Sequence, residues 1–238
     1  MLNTDAIDIR TGRPAFYPAP ANSVDNLPAV PVLPETLLRM ELCSQEFSVD
    51  LGEITFLVLS DLGATLQILR LAAREREDTE ERPARIEDCI SDLGMQACLA
   101  AVGQQAVVAE TWHRELPELW AHAREVAQAC RTVAAVVGGV HPEEAYLVGL
   151  THALGALPAL LGWRGLESGP RTPSRAALLL AERWSLPPCV LEFCHAWDRG
   201  ELDNRWVRIL RMAHPHAGRS PRLCPLESLP SPRLQRVL

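Results

Sequence analysis

The sequence contains no lysine; all 23 of its basic side chains are arginines, which reads as codon composition before it reads as selection for guanidinium contacts. Aromatic residues are scarce at 5%, while hydrophobic residues of all kinds reach 47%. A core must therefore be built from Leu, Val and Ala, which settle in helices better than on a pleated sheet. No four-to-eight-residue alternation marks a strand, and no fixed-period repeat is present. No uninterrupted apolar run is long enough to span a bilayer. Met1–Arg10 carries Asp5 and Asp8 and lacks the apolar stretch of a secretory signal. The seven cysteines, Cys43, Cys89, Cys98, Cys130, Cys189, Cys194 and Cys224, are odd in number and include no C-x-x-C pair. A disulfide framework is therefore not expected, and a reducing, cytoplasmic location is. The net charge of −7 opposes binding to a phosphate backbone, so neither nucleic acid nor membrane is expected as a partner. No basic recognition helix stands out to support a DNA-binding reading. A G-x-S-x-G nucleophile elbow is missing, and Gly138–Gly139 lacks the lysine of a phosphate loop.

What is present is helical spacing from Leu27 onward. Pro34 reads as a first-turn proline ahead of Leu37, Leu38 and Leu42 on one face. Ser48 and Asp61 read as caps of the next two helices. Gly94 ends a short helix, and Met95–Trp112 reads as a buried one. Leu119, Ala123, Val126, Ala127, Cys130, Val133, Ala134 and Val137 form the clearest stripe, closed by Gly138–Gly139. Pro142, Thr172–Pro173, Pro187–Pro188 and Asp203 open four more helices. The expected class is all-α, a compact multi-helix bundle. It divides into an irregular leader (1–26, including Phe16 and Tyr17), a helical domain (27–214) and a Pro- and Arg-rich tail (215–238).

Five phrases in order carry a resemblance to a known family. They are LPAVPVLPETLLRM (Leu27–Met40), ITFLVLSDLGATLQILRLA (Ile54–Ala72), RIEDCISDLGMQACLAAV (Arg85–Val102), LWAHAREVAQAC (Leu119–Cys130) and PEEAYLVGLTHALGALPALL (Pro142–Leu161). Together they resemble the HDOD domain, a degenerate relative of the HD and HD-GYP metal-dependent phosphohydrolases. Leu62 stands where that family usually has proline, and its asparagine after the RLA phrase is lost. The resemblance implies an HD-like helical bundle in bacterial signalling.

In HD phosphohydrolases a first His, a His-Asp pair and a later Asp hold one or two divalent metals. Imidazoles give directional ligands; carboxylates give the charge that holds and bridges hard dications. By the resemblance, His122 is the first His and His152 the His of the pair, but Ala153 replaces its Asp. His214 falls at the later Asp, and His195 lies where relatives often carry a further His. Three or four imidazoles are thus expected at one cleft, with no carboxylate at the diagnostic positions. Asp198, one turn from His195, is the nearest substitute acid. A methyl group cannot replace a bridging carboxylate, so no catalytic residues, no metal and no cofactor are expected, although a zinc site made of imidazoles alone remains chemically open. Cys189 and Cys194 are five residues apart, do not share a helix face and read as small buried hydrophobes. The six tryptophans read as core, and Arg205, Arg208 and Arg211 as a solvated helix face.

Two functions follow as expectations. One is a pseudoenzyme: a non-catalytic signal-transduction domain acting by protein–protein contact, with a regulatory protein as partner and a possible small ligand. The other is a residual metal-dependent phosphohydrolase acting on a nucleotide or cyclic dinucleotide through His122, His152, His195 and His214.

Overall fold

The structure is a computed structural model describing residues 7–8, 13–14, 30–45, 50–75, 85–103, 115–163, 172–218 and 224. Phe16, Tyr17, Ser48, Pro83, the stretch 104–112 and most of the tail lie outside the described residues. Among the described residues, eleven α-helices run in order: α1 (Pro34–Gln45), α2 (Leu51–Leu59), α3 (Leu62–Glu75), α4 (Ile86–Leu93), α5 (Met95–Gly103), α6 (Glu115–Val137), α7 (Pro142–Thr151), α8 (Leu157–Leu161), α9 (Pro173–Arg183), α10 (Pro188–Arg199) and α11 (Arg205–Ala213). Short 3-10 turns, His152–Ala156 and His214–His216, follow α7 and α11. Ahead of them, Ile7–Asp8 pairs antiparallel with Arg13–Pro14 in a two-residue ladder inside the segment read as irregular.

Local chemistry sets the helix starts. Asp50, not Ser48, caps α2, its carboxylate accepting from Gly52 N at 3.2 Å. Thr172 caps α9 by accepting from Arg175 N, and Asn204 caps α11 by accepting from Trp206 N at 2.9 Å. Prolines occupy the first turns of α7, α9 and α10, where no amide donor is needed. In α1 the buried stripe is Thr36, Met40 and Cys43. Leu38 and Leu42, expected inward, are 58% and 54% exposed. Val30 and Val32 fill the space ahead of the helix and rotate that stripe toward the core.

One continuous apolar core runs through the domain. α1–α5 pack against one another on one side, and α6, α7 and α9–α11 on the other. Trp120 Nε1 reaches Asp61 Oδ1 at 3.0 Å and Tyr146 Oη donates to Leu59 O at 3.0 Å, joining the halves. Pro142–Leu161 is 20 residues long and apolar enough to cross a membrane by composition, but 89% of its most apolar 18-residue window is buried inside the domain. Its hydrophobicity is that of a central core element.

The α6–α7 pair is the most extensive helix contact, and it positions the site. Gly149 of α7 sits against Ala127 of α6 so closely that a Cβ would lie 2.6 Å from Ala127 Cα. That approach lets the C-terminus of α7 bring His152 beside His122.

Candidate functional site

His122 projects from the middle of α6, His152 opens the 3-10 turn after α7, and His214 opens the turn after α11. Their rings form a triangle with centroids 5.0, 5.3 and 5.7 Å apart, each pair edge to face. His122 and His152 are buried and His214 is half-buried. A fourth side chain completes the group: Cys224, buried, enters from the tail. One donor atom from each of the four lies within 4.8 Å of every other.

The individual distances are short. His122 Nε2 and His214 Nε2 are 3.2 Å apart, and His214 Nε2 is 3.2 Å from Cys224 Sγ. Cys224 Sγ is 3.7 Å from His152 Nε2. His152 Nδ1 contacts Gly149 O at 2.5 Å. A carbonyl can only accept, so Nδ1 carries the proton and the lone pair of Nε2 faces the cluster. Burial, followed by the neighbouring His214, lowers the pKa of His122 to about 4. Burial lowers that of His152 to about 3, against the opposing hydrogen bond to Gly149. Both rings are neutral at physiological pH, the state in which imidazole binds metals.

The other residues suggested by the sequence lie elsewhere. His195, on α10, is partly exposed and points to Glu182 of α9, with Nε2 and Oε1 3.7 Å apart. It does not join the three imidazoles, because α10 turns that face toward α9 and solvent. Asp198 receives hydrogen bonds from Ser174 Oγ and Arg175 Nη1, both at 3.3 Å, and serves to hold the start of α9. Ala153 is fully buried beside His152. Gly155, two residues on, allows the turn to press on α9, where a Cβ would meet Pro173 O at 2.1 Å. Cys189 and Cys194 are buried, their thiol pKa values pushed up by burial. The five described tryptophans are all buried, so none forms a stacking platform. Arg205 bonds Glu192 and lies over the Trp206 ring; Arg208 is exposed.

Residues 30–162, more than half of the chain, match the family described as "HDOD domain". The protein belongs to the HDOD domain family. Two crystal structures of the MmoQ response regulator from Methylococcus capsulatus str. Bath resemble this HDOD protein, each with a TM-score of 0.63 at 19% identity. One covers 82% of this chain and 84% of that one; the other, of a fragment, covers 79% and 83%. At that identity the likeness speaks for a shared fold. No curated protein matches the sequence.

The HDOD donor set does not fit a hydrolytic di-metal centre. The four converging groups include no carboxylate to bridge two ions. It does fit one borderline-soft ion, as imidazole nitrogens and a thiolate do. Cys224 is the member that sequence reading missed. It lies ten residues beyond His214 in a proline-interrupted stretch with no period to follow.

Proposed function

We propose that this HDOD protein is a non-catalytic regulatory domain of a bacterial signalling system, working by binding another protein. The observation carrying this reading is the composition of the histidine cluster. Where the phosphohydrolases place an acid, Ala153 is buried, and the three imidazoles are joined by the thiol of Cys224 instead of a carboxylate. A metal held by all four side chains keeps no open position for a water or a phosphate oxygen. The fold likeness to a response regulator supports a signalling role without defining it.

The contact surface we assign is the outer face of α1 and α2. Leu38 and Leu42 stand one turn apart on α1, and Phe56 of α2 is 66% exposed. These two helices pack together, so their exposed apolar side chains belong to neighbouring elements. The partner is a regulatory protein with an apolar docking face.

Two measurements test the reading. Cross-linking in the native host, followed by mass spectrometry, is expected to recover one regulatory partner with the wild-type chain. The recovery should fall at least about tenfold when Leu38, Leu42 and Phe56 are all changed to Ser. The competing reading, a residual phosphohydrolase, draws on the convergence of His122, His152 and His214. It requires turnover of a phosphodiester such as bis-p-nitrophenyl phosphate with manganese or zinc. Turnover that disappears with His122→Ala would replace the regulatory reading.

A further inference from the structure

We propose that His122, His152, His214 and Cys224 form a closed, four-coordinate zinc site that anchors the C-terminal segment to the domain. The donor spacing carries the argument. A tetrahedral zinc with Zn–N of about 2.0–2.1 Å and Zn–S of about 2.3 Å places its nitrogens about 3.3–3.4 Å apart and sulfur about 3.6 Å from nitrogen. The cluster has a nitrogen–nitrogen distance of 3.2 Å and sulfur–nitrogen distances of 3.2 and 3.7 Å. Three of the six edges of a tetrahedron are thus within about 0.4 Å of those of a zinc site, and all four ligand atoms lie within 4.8 Å of one another.

His214 Nε2 is close to both His122 Nε2 and Cys224 Sγ. A ring nitrogen has one in-plane site, either a proton or a lone pair, and can direct it well at only one of them. A cation at the centre satisfies every donor at once. His152 is already oriented for this, since its Nδ1–H is held by Gly149 O and its Nε2 faces inward, the arrangement typical of zinc-bound histidine. The donor types select the ion: no carboxylate invites magnesium or calcium, and a thiolate with imidazoles in a tetrahedron suits zinc.

The consequence is structural. The first two ligands lie on the α6–α7 pair, the third follows α11, and the fourth lies in the tail. Glu125, one turn after His122, accepts a hydrogen bond from Gly218 N at 2.8 Å, a second tether between His214 and Cys224. Zinc would fasten this segment to the α6–α7 pair. The inference stands apart from the regulatory reading: a metal-free chain could still bind a partner, and a zinc-bound chain could bind none.

The test uses the full chain, expressed without a polyhistidine tag and purified without chelators. Elemental analysis is expected to find about one zinc per chain. Cys224→Ser and His214→Ala should each lower zinc retention at least about tenfold after dialysis, with helical circular dichroism retained, whereas His195→Ala should retain the wild-type amount. Replacement by cobalt(II) should give the intense visible bands of a tetrahedral ion and a thiolate-to-cobalt charge-transfer band that Cys224→Ser removes. The proposal is overturned if the folded chain neither carries zinc nor takes up zinc or cobalt, if another metal is held in its place, or if Cys224→Ser leaves retention and the charge-transfer band unchanged. Should His214→Ala fail to fold, the cobalt spectrum of the wild-type chain decides the matter alone.

Discussion

Trp120 donates its indole N–H to Asp61, 59 residues earlier, at 3.0 Å, and both side chains are buried. The same carboxylate accepts from Ala64 N at 3.1 Å, capping α3, and from Leu33 N at 2.8 Å, fixing the entry to α1. One aspartate thus joins three helices, although burial raises its pKa against the pull of these donors. Asp61→Ala strands four donors, the amides of Leu33 and Ala64, the Thr36 hydroxyl and the Trp120 indole, and is expected to cost about 3–5 kcal/mol. Trp120→Phe removes one bond and should cost about 1–2 kcal/mol. Urea unfolding of the single and double variants checks this. A coupling energy near zero would mean that the bond contributes nothing.

Gly149 sets how closely α6 and α7 approach, and through them the spacing of His122 and His152. A Cβ at Gly149 would lie 2.6 Å from Ala127 Cα and 3.0 Å from both Ala127 N and Cys130 Sγ. Backbone cannot move aside as the end of a side chain can. Gly149→Ala should therefore destabilise by about 2–3 kcal/mol, despite alanine's better helix propensity. Gly103→Ala, where a Cβ meets nothing within 4 Å, should fall within about 0.5 kcal/mol of wild type. Thermal melts of the two variants side by side give the comparison. Equal melting temperatures would show that the helices can part at little cost.

The sequence made the helices legible because proline, capping residues and the 3.6 period are local signals. Asp61 and Thr172 act where their spacing suggested, and so does the α6 stripe from Leu119 to Ala134, but Val133 is only partly buried and Val137, the last of the series, is 57% exposed. It did not tell which of two adjacent faces of α1 turns inward, since that depends on Val30, Val32 and the packing of α5. His122, His152 and His214 could be aligned with a family pattern and do converge. His195 has the same chemistry but sits on a face of α10 directed at Glu182, a difference of helix rotation that residue type cannot report. Cys224 stands ten residues beyond His214, and no spacing rule reaches across that interval.

Glu192 offers a pH-dependent handle away from the histidines. Burial pushes its pKa up, but hydrogen bonds from Arg205, Trp206 Nε1 and Asn204 outweigh this and hold it below the usual carboxylate value. A carboxylate with a depressed folded-state pKa stabilises fully above its unfolded pKa. That contribution is lost as pH falls through the folded value. The side chain is 40% exposed, so water screens the gain. Glu192→Gln should lower stability by about 1 kcal/mol at pH 7, and the gap should narrow below about pH 4. Chemical denaturation at pH 7 and pH 3.5 measures both. A gap that stays constant with pH would assign the loss to packing.

Restoring the missing acid should not restore an enzyme. Ala153 has no exposed surface, so Ala153→Asp places a carboxyl among packed side chains beside His152. With His122 and His152 held neutral by burial, the new acid beside them must either remain protonated or carry a desolvated charge. The expected cost is several kcal/mol, about 3 or more. Hydrolysis also needs a coordination position open to water, and a metal held by all of His122, His152, His214 and Cys224 would leave none. The Ala153→Asp chain, assayed with manganese and zinc against phosphodiesters, should therefore melt lower than wild type and show no turnover. Metal-dependent turnover in this variant would mean that a single substitution separates the domain from catalysis, and that the cluster is a dormant hydrolytic site instead of a closed structural one.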